Sequence, residues 1–244
     1  DDLELGGETL RGLLDRLDDL GGEGGRRDGA RGVARVHAGL LDVLHDPTDD
    51  HLAGDVAQRL SPSERSDLMG NAKALADGGK LTASDTLALA ETFHADPERN
   101  VVQMALDLAL SPATTLVPDN LQPNYQRFLQ KNFQAKAREL GWTAKPGEPE
   151  ETTLLRPTLV RLMATWGGDE QLASEGRQLA EKWLTDHSVV SPNMASAVLR
   201  SAAWQGDKAL ADRILTALKA EKDKQVRQNL LSGLSGFRER EAIL

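Results

Sequence analysis

Trp166-Gly167-Gly168-Asp169 recurs as Trp204-Gln205-Gly206-Asp207, an offset of 38 residues, and Leu172-Ala173 returns at the same offset as Leu210-Ala211. In each copy the residue order predicts a helix that ends at the Trp, a glycine in left-handed backbone, and an Asp whose carboxylate caps the next helix. That is the pattern of a helix–turn–helix repeat, and its period lies near those of known α-solenoids. Stacked helical hairpins, each touching its neighbours and together forming a concave face, are the expected architecture.

The flanking sequence is helical in both directions. Downstream and between the two turns, helices read at about 150–166, 169–186, 192–205, 207–222 and 224–236. Upstream, residues 123–140 form the longest clear helix, with Tyr125, Phe128, Leu129, Phe133, Ala137 and Leu140 facing inward and Gly141 as its stop. Ser61-Pro62-Ser63-Glu64 is a capping box with proline at the first helical position. It opens a helix carrying Leu68, Met69, Ala72 and Leu75, closed by Gly78-Gly79. Thr82-Ala83-Ser84-Asp85 and Asp96-Pro97-Glu98 read as the next two starts. Nearer the beginning, leucines from Leu10 to Leu20 and the stripe Val33, Val36, Leu40, Leu41, Leu44 repeat at helical spacing. No alternating stretch is long enough for a sheet. The fold class is therefore all-α: an α-solenoid of stacked antiparallel helix pairs, a right-handed superhelix like HEAT and armadillo arrays.

Composition sets bounds on function. The 244 residues carry 29 Lys+Arg against 38 Asp+Glu, a formal charge of −9, which argues against a general nucleic-acid binder. Cysteine is absent, so disulfides and thiolate metal sites are excluded, and the compartment stays open between cytoplasm and periplasm. No apolar run approaches the roughly 20 residues needed to span a bilayer. The opening Asp1-Asp2-Leu3-Glu4-Leu5 lacks the pattern of a signal peptide and starts without methionine, as a processed or truncated piece would. All nine aromatic residues lie at or after Phe93, whereas ten of the 22 glycines fall within the first 39 residues. Large rings supply buried area and glycine raises the entropy cost of ordering. Residues 1–48 are thus expected to be a divergent or linker-like helical segment, and residues 49–244 the helical-repeat domain.

Candidate chemistry is sparse. His45, Asp49 and His51 are the most metal-like donors. The structural alternative is a histidine closing a helix ahead of an Asp-Pro turn. His94 and His187 stand at helix ends, as caps or solvated groups. No nucleophile elbow, phosphate-binding loop or dinucleotide fingerprint is present, so neither catalytic nor cofactor-binding residues are assigned. The 123–140 helix carries Arg127, Lys131, Gln134 and Arg138 along one side. This is either a solvated face or a cationic patch for carboxylates such as a peptide C-terminus. Arg156 and Arg200 carry the same ambiguity: buried and paired, or facing a groove. Arg127, Lys131, Arg156 and Arg200 are the candidate contacts to a peptide carboxylate.

The order of segments from about residue 50 resembles a known family. It runs from Leu60-Ser61-Pro62-Ser63-Glu64-Arg65, through the long helix ending Leu140-Gly141-Trp142, to Pro146-Gly147-Glu148 ahead of Leu154-Leu155-Arg156, and then to the two Trp–Asp turns. This ordered set is similar to the C-terminal helical domain of the gluzincin zinc aminopeptidases, the aminopeptidase N and endoplasmic-reticulum aminopeptidase family. In that family a His-Glu-x-x-His zinc motif and a Gly-x-Met-Glu-Asn loop lie in an earlier domain. Here no His is followed by Glu. The resemblance implies a non-catalytic domain that caps the active-site cavity and helps enclose peptide substrates. The catalytic domain of the parent enzyme would be its partner and zinc would be held there, with no nucleic-acid or membrane partner. A homodimer is open to the chain if its N-terminal leucine stripe packs on a second copy. The alternative is a stand-alone or engineered helical-repeat module that binds a protein or peptide.

Overall fold

The computed structural model describes residues 60–111 and 117–238, and these fall into two compact units that divide between Ser111 and Pro112. The boundary expected between residues 48 and 49 lies outside the described residues, as do the leucine stripes near the beginning of the chain. The described residues are helical, with no strand among them, so the all-α expectation holds.

Among the described residues the first unit has three helices: α1 (Pro62–Asp77), α2 (Ala83–Phe93) and α3 (Arg99–Leu110), with α3 packed on both others. The capping box forms as expected. Glu64 donates its backbone N–H to the Ser61 hydroxyl at 3.4 Å, and the Glu64 carboxylate accepts from the Ser61 N–H at 2.7 Å. Thr82 and Asp85 form a second such box at the start of α2. The buried stripe of α1 is Arg65, Met69, Ala72 and Leu75, with Leu68 only half-buried.

Arg65 belongs in that apolar stripe because its charge is matched. Its Nη1 donates to the Leu60 carbonyl at 2.7 Å, and its Nε lies 2.7 Å from the Asp96 carboxylate. That pairing explains why Asp96 does not cap the next helix. Its other oxygen accepts the Glu98 N–H at 2.8 Å, the chain turns there, and α3 begins only at Arg99, without a side-chain cap.

The second unit begins with a single 3-10 turn, Asp119–Leu121, that leads into α4 (Gln122–Leu129). A π-turn (Gln130–Gln134) and α5 (Ala135–Leu140) continue it, so the long helix expected over 123–140 is present but contains one widened turn. Tyr125, Leu129, Phe133, Ala137 and Leu140 are buried, while Phe128 is half-buried. Then come α6 (Glu150–Ala164), α7 (Glu170–Trp183), α8 (Pro192–Trp204), α9 (Lys208–Ala220) and α10 (Lys224–Leu234). The π-turn and α5 pack on α6. Helix α6 meets α7 and α8, α8 meets α7 and α10, and α10 meets α9. One row therefore runs α6–α8–α10, each helix packed on the next but one.

Two close approaches set this packing. A Cβ at Gly176 in α7 would lie 2.8 Å from the Trp142 ring and 3.3 Å from the Ser201 hydroxyl of α8. One at Gly233 in α10 would lie 3.0 Å from the Leu199 side chain of α8. Inside α6, Pro157 has no N–H to give to the Thr153 carbonyl four residues back. The Asn193 amide of α8 donates to that carbonyl instead, at 3.5 Å.

The two repeat turns agree in their caps. Leu172 N–H donates to Asp169 at 3.1 Å and Leu210 N–H donates to Asp207 at 2.9 Å. Both leucines are buried, so one residue supplies the capped N–H and the apolar anchor of each repeat. The turns differ in their glycines. Gly168 takes φ +65°, as the left-handed cap requires, and its helix ends at Ala164. The second helix runs on to Trp204, and Gly206 is not left-handed. It is glycine because of crowding: a Cβ there would lie 2.6 Å from the Phe237 ring and 3.1 Å from the Ala203 carbonyl.

Candidate functional site

Asp169 is a buried carboxylate that joins two elements of the second unit. Its side chain is fully buried, and one oxygen caps α7. The other oxygen accepts from Arg138 Nε at 2.7 Å and from Gln134 Nε2 at 2.9 Å. Burial pushes this carboxyl up. The hydrogen bonds from Arg138, Leu172 and Gln134, with the Arg138 charge, outweigh burial and hold it below the usual carboxylate range.

Around it, one stripe of the long helix grips the turn. Gln130 donates to the Gly167 carbonyl at 2.8 Å, and the Gln126 amide lies against Gly168. The gripping residues are thus Gln126, Gln130, Gln134 and Arg138, spaced four apart. At 3.6 residues per turn each four-residue step overshoots by about 40°, so three steps would carry the stripe about 120° off its target. A π-turn holds more residues per turn and pulls the stripe back into line. The widened turn at Gln130–Gln134 lies in the middle of it.

A second polar group fixes the loop from Gly141 to Pro149. Gly141 and Gly147 take φ +56° and +75°, and Trp142 donates its indole N–H to the Leu172 carbonyl at 2.9 Å. Glu148 accepts from the Lys145 N–H at 3.0 Å, from Thr153 at 2.8 Å, and from both terminal nitrogens of Arg156. The Lys145 N–H comes first among the interactions that lower the Glu148 carboxyl against its desolvation; the Thr153 and Arg156 hydrogen bonds and the Arg156 charge add to it.

Arg138, Trp142 and Lys145 also line an open cleft of about 510 Å³, with Glu139, Glu175 and Lys182 among others. Its rim mixes both charges, and among the residues that line it none is a Ser, Cys or His.

The sequence-derived candidates separate in the structure. Of the two readings open for Arg156, the structure gives the buried, paired one: its side chain is 1% exposed and bound to Glu148. Arg200 is exposed on α8. Arg127 is exposed and donates to Asn124 at 2.5 Å, and Lys131 is exposed on the π-turn. Gln134 and Arg138, read as part of the same cationic side, instead turn to Asp169. His94 caps α2 with Nδ1 2.6 Å from the Glu91 carbonyl, and His187 lies against Trp183 with ring centroids 4.4 Å apart. His45, Asp49 and His51 lie outside the described residues. Among the described residues, no three His, Asp or Glu side chains converge as metal ligands, and no helix is long and apolar enough to cross a membrane.

The Asp169 grip was missed because Arg127 and Lys131 drew the polar face of the long helix one position to the side. The signal was in the sequence nonetheless, as Gln, Gln, Gln and Arg at a strict spacing of four.

With this geometry established, residues 37–244 match the family described as the ERAP1-like C-terminal domain. The chain belongs to that family. It is a C-terminal domain of the aminopeptidase family, as the ordered segments from residue 50 implied. Both Trp–Asp turns, the Asp169 grip and the cleft fall within the matched stretch. So do His45, Asp49 and His51, because the match begins ahead of residue 49.

Proposed function

We propose that this chain is the non-catalytic C-terminal helical domain of a zinc aminopeptidase, where it caps the active-site cavity and helps to enclose peptide substrates. The observation that carries this reading is the family match over residues 37–244. The sequence supports it, since no His here is followed by Glu and the donors that hold zinc in such enzymes have no counterpart. Zinc and the reacting water then belong to the catalytic domain, which is the partner of this one. The α6–α8–α10 row and the matched Asp caps support an α-solenoid, the architecture that offers a concave face to a peptide. Arg127, Lys131 and Arg200, all exposed, are the proposed contacts to a peptide carboxylate. Arg156 leaves that set because its guanidinium is buried on Glu148.

The test mixes the purified chain with the separately expressed catalytic domain of its parent enzyme. The reading expects a one-to-one complex by sedimentation and a change in the rate at which long peptides are trimmed. A folded, active catalytic domain that neither binds the chain nor alters its peptide preference in its presence would overturn it.

A further inference from the structure

The two repeat-turn tryptophans meet each other. The Trp166 and Trp204 ring centroids are 4.5 Å apart in an edge-to-face arrangement, and both rings stay only partly buried. The guanidinium carbon of Arg238 lies 4.6 Å from the Trp204 centroid and 5.8 Å from that of Trp166. Two indole faces on one planar cation make a receptor for a guanidinium group, since indole is the strongest of the aromatic partners for a cation. Phe237, the preceding residue, packs at Gly206 of the second turn and so delivers Arg238 to the rings. Arg238 itself is exposed.

We infer that the Trp166–Trp204 pair is an arginine-binding site, filled in this chain by its own Arg238, which an arginine side chain of a bound peptide takes over when Arg238 is displaced. The formal charge of −9 favours a cationic peptide over an anionic one. A guanidinium suits the two faces better than an ammonium because it is planar, delocalised and more weakly hydrated. The site differs from the proposed carboxylate contacts in the sign of the group it takes.

The composition of the chain makes the test specific. Of its four tryptophans, Trp142 and Trp183 are 4% and 2% exposed, so an added ligand reaches mainly Trp166 and Trp204. Tryptophan fluorescence is titrated with N-acetyl-argininamide, and with N-acetyl-lysinamide for comparison, on the full chain and on R238A. Circular dichroism confirms that each variant is folded. R238A is expected to show a saturable change with the arginine ligand at an apparent affinity about fivefold or more above wild type, and a weaker response to lysine. Adding W204A to R238A should remove the saturable change. If folded R238A responds no more than the W204A/R238A double variant, or if wild type and R238A bind equally, the inference is overturned and the contact is a structural clasp.

Discussion

Arg138 donates its Nε to the Asp169 carboxylate at 2.7 Å, although the arginine side chain is 51% exposed and that of the aspartate is fully buried. The same carboxylate caps α7, so one side chain joins the long helix to the repeat turn. Asp169→Ala removes the cap and orphans two further donors, and is expected to cost about 2 kcal/mol in the second unit. Asp169→Asn keeps a good capping group and should cost about half as much. Urea unfolding followed by tryptophan fluorescence reads this unit alone, because all four tryptophans lie in it. Asp207→Ala removes a cap that carries fewer buried bonds and should be milder than Asp169→Ala.

The depressed Asp169 carboxyl gives that stability a pH dependence. A folded-state value below the unfolded one, near 3.9, means the contribution is fully present above about pH 4 to 5. It is lost as pH falls through the folded-state value. The stability difference between wild type and Asp169→Asn should therefore be constant from pH 8 to pH 5 and shrink below pH 4. A difference that grows on acidification would contradict the grip described here.

Gly176 and Gly70 should respond oppositely to alanine. Both lie inside helices, where alanine is normally favoured by about 0.5–1 kcal/mol. Gly70 has nothing within 4 Å of an added Cβ, so Gly70→Ala should stabilise α1 by that amount, read by amide exchange. At Gly176 the Cβ would lie 2.8 Å from a Trp142 ring pinned by its bond to the Leu172 carbonyl. Overpacking costs about 1–3 kcal/mol, so Gly176→Ala should be net destabilising in urea unfolding.

The Arg156–Glu148 pair should also be asymmetric. Arg156→Met removes the cation but leaves Glu148, 11% exposed, still bonded by the Lys145 N–H and the Thr153 hydroxyl, and is expected to be the milder change. Glu148→Ala leaves that cation buried without its partner and should be the more damaging change. Equal effects in parallel urea titrations would place the arginine in solvent.

What the sequence disclosed, and what it concealed, follows from how far apart the interacting residues are. The Ser61–Glu64 and Thr82–Asp85 boxes and the two Asp caps join residues three apart, so the sequence shows them directly. Asp96 looked like a cap by the same logic, and failed because Arg65, thirty-one residues earlier, takes its carboxylate. Gly206 matched Gly168 in the repeat but is required by Phe237, a contact no local pattern encodes. The π-turn was hidden because its cause, the line of donors facing residues 167–169, lies across the unit. The family resemblance was legible because it rested on the order of many such local signals.

The central proposal is that this aminopeptidase C-terminal domain, helical with no strand among its described residues, carries out no hydrolysis of its own. The most direct measurement is release of aminomethylcoumarin from leucine and arginine amide substrates by the purified chain, with and without added zinc. The account predicts a rate equal to that of buffer under every condition. Zinc-dependent turnover that co-purifies with the chain and is removed by chelation would contradict it.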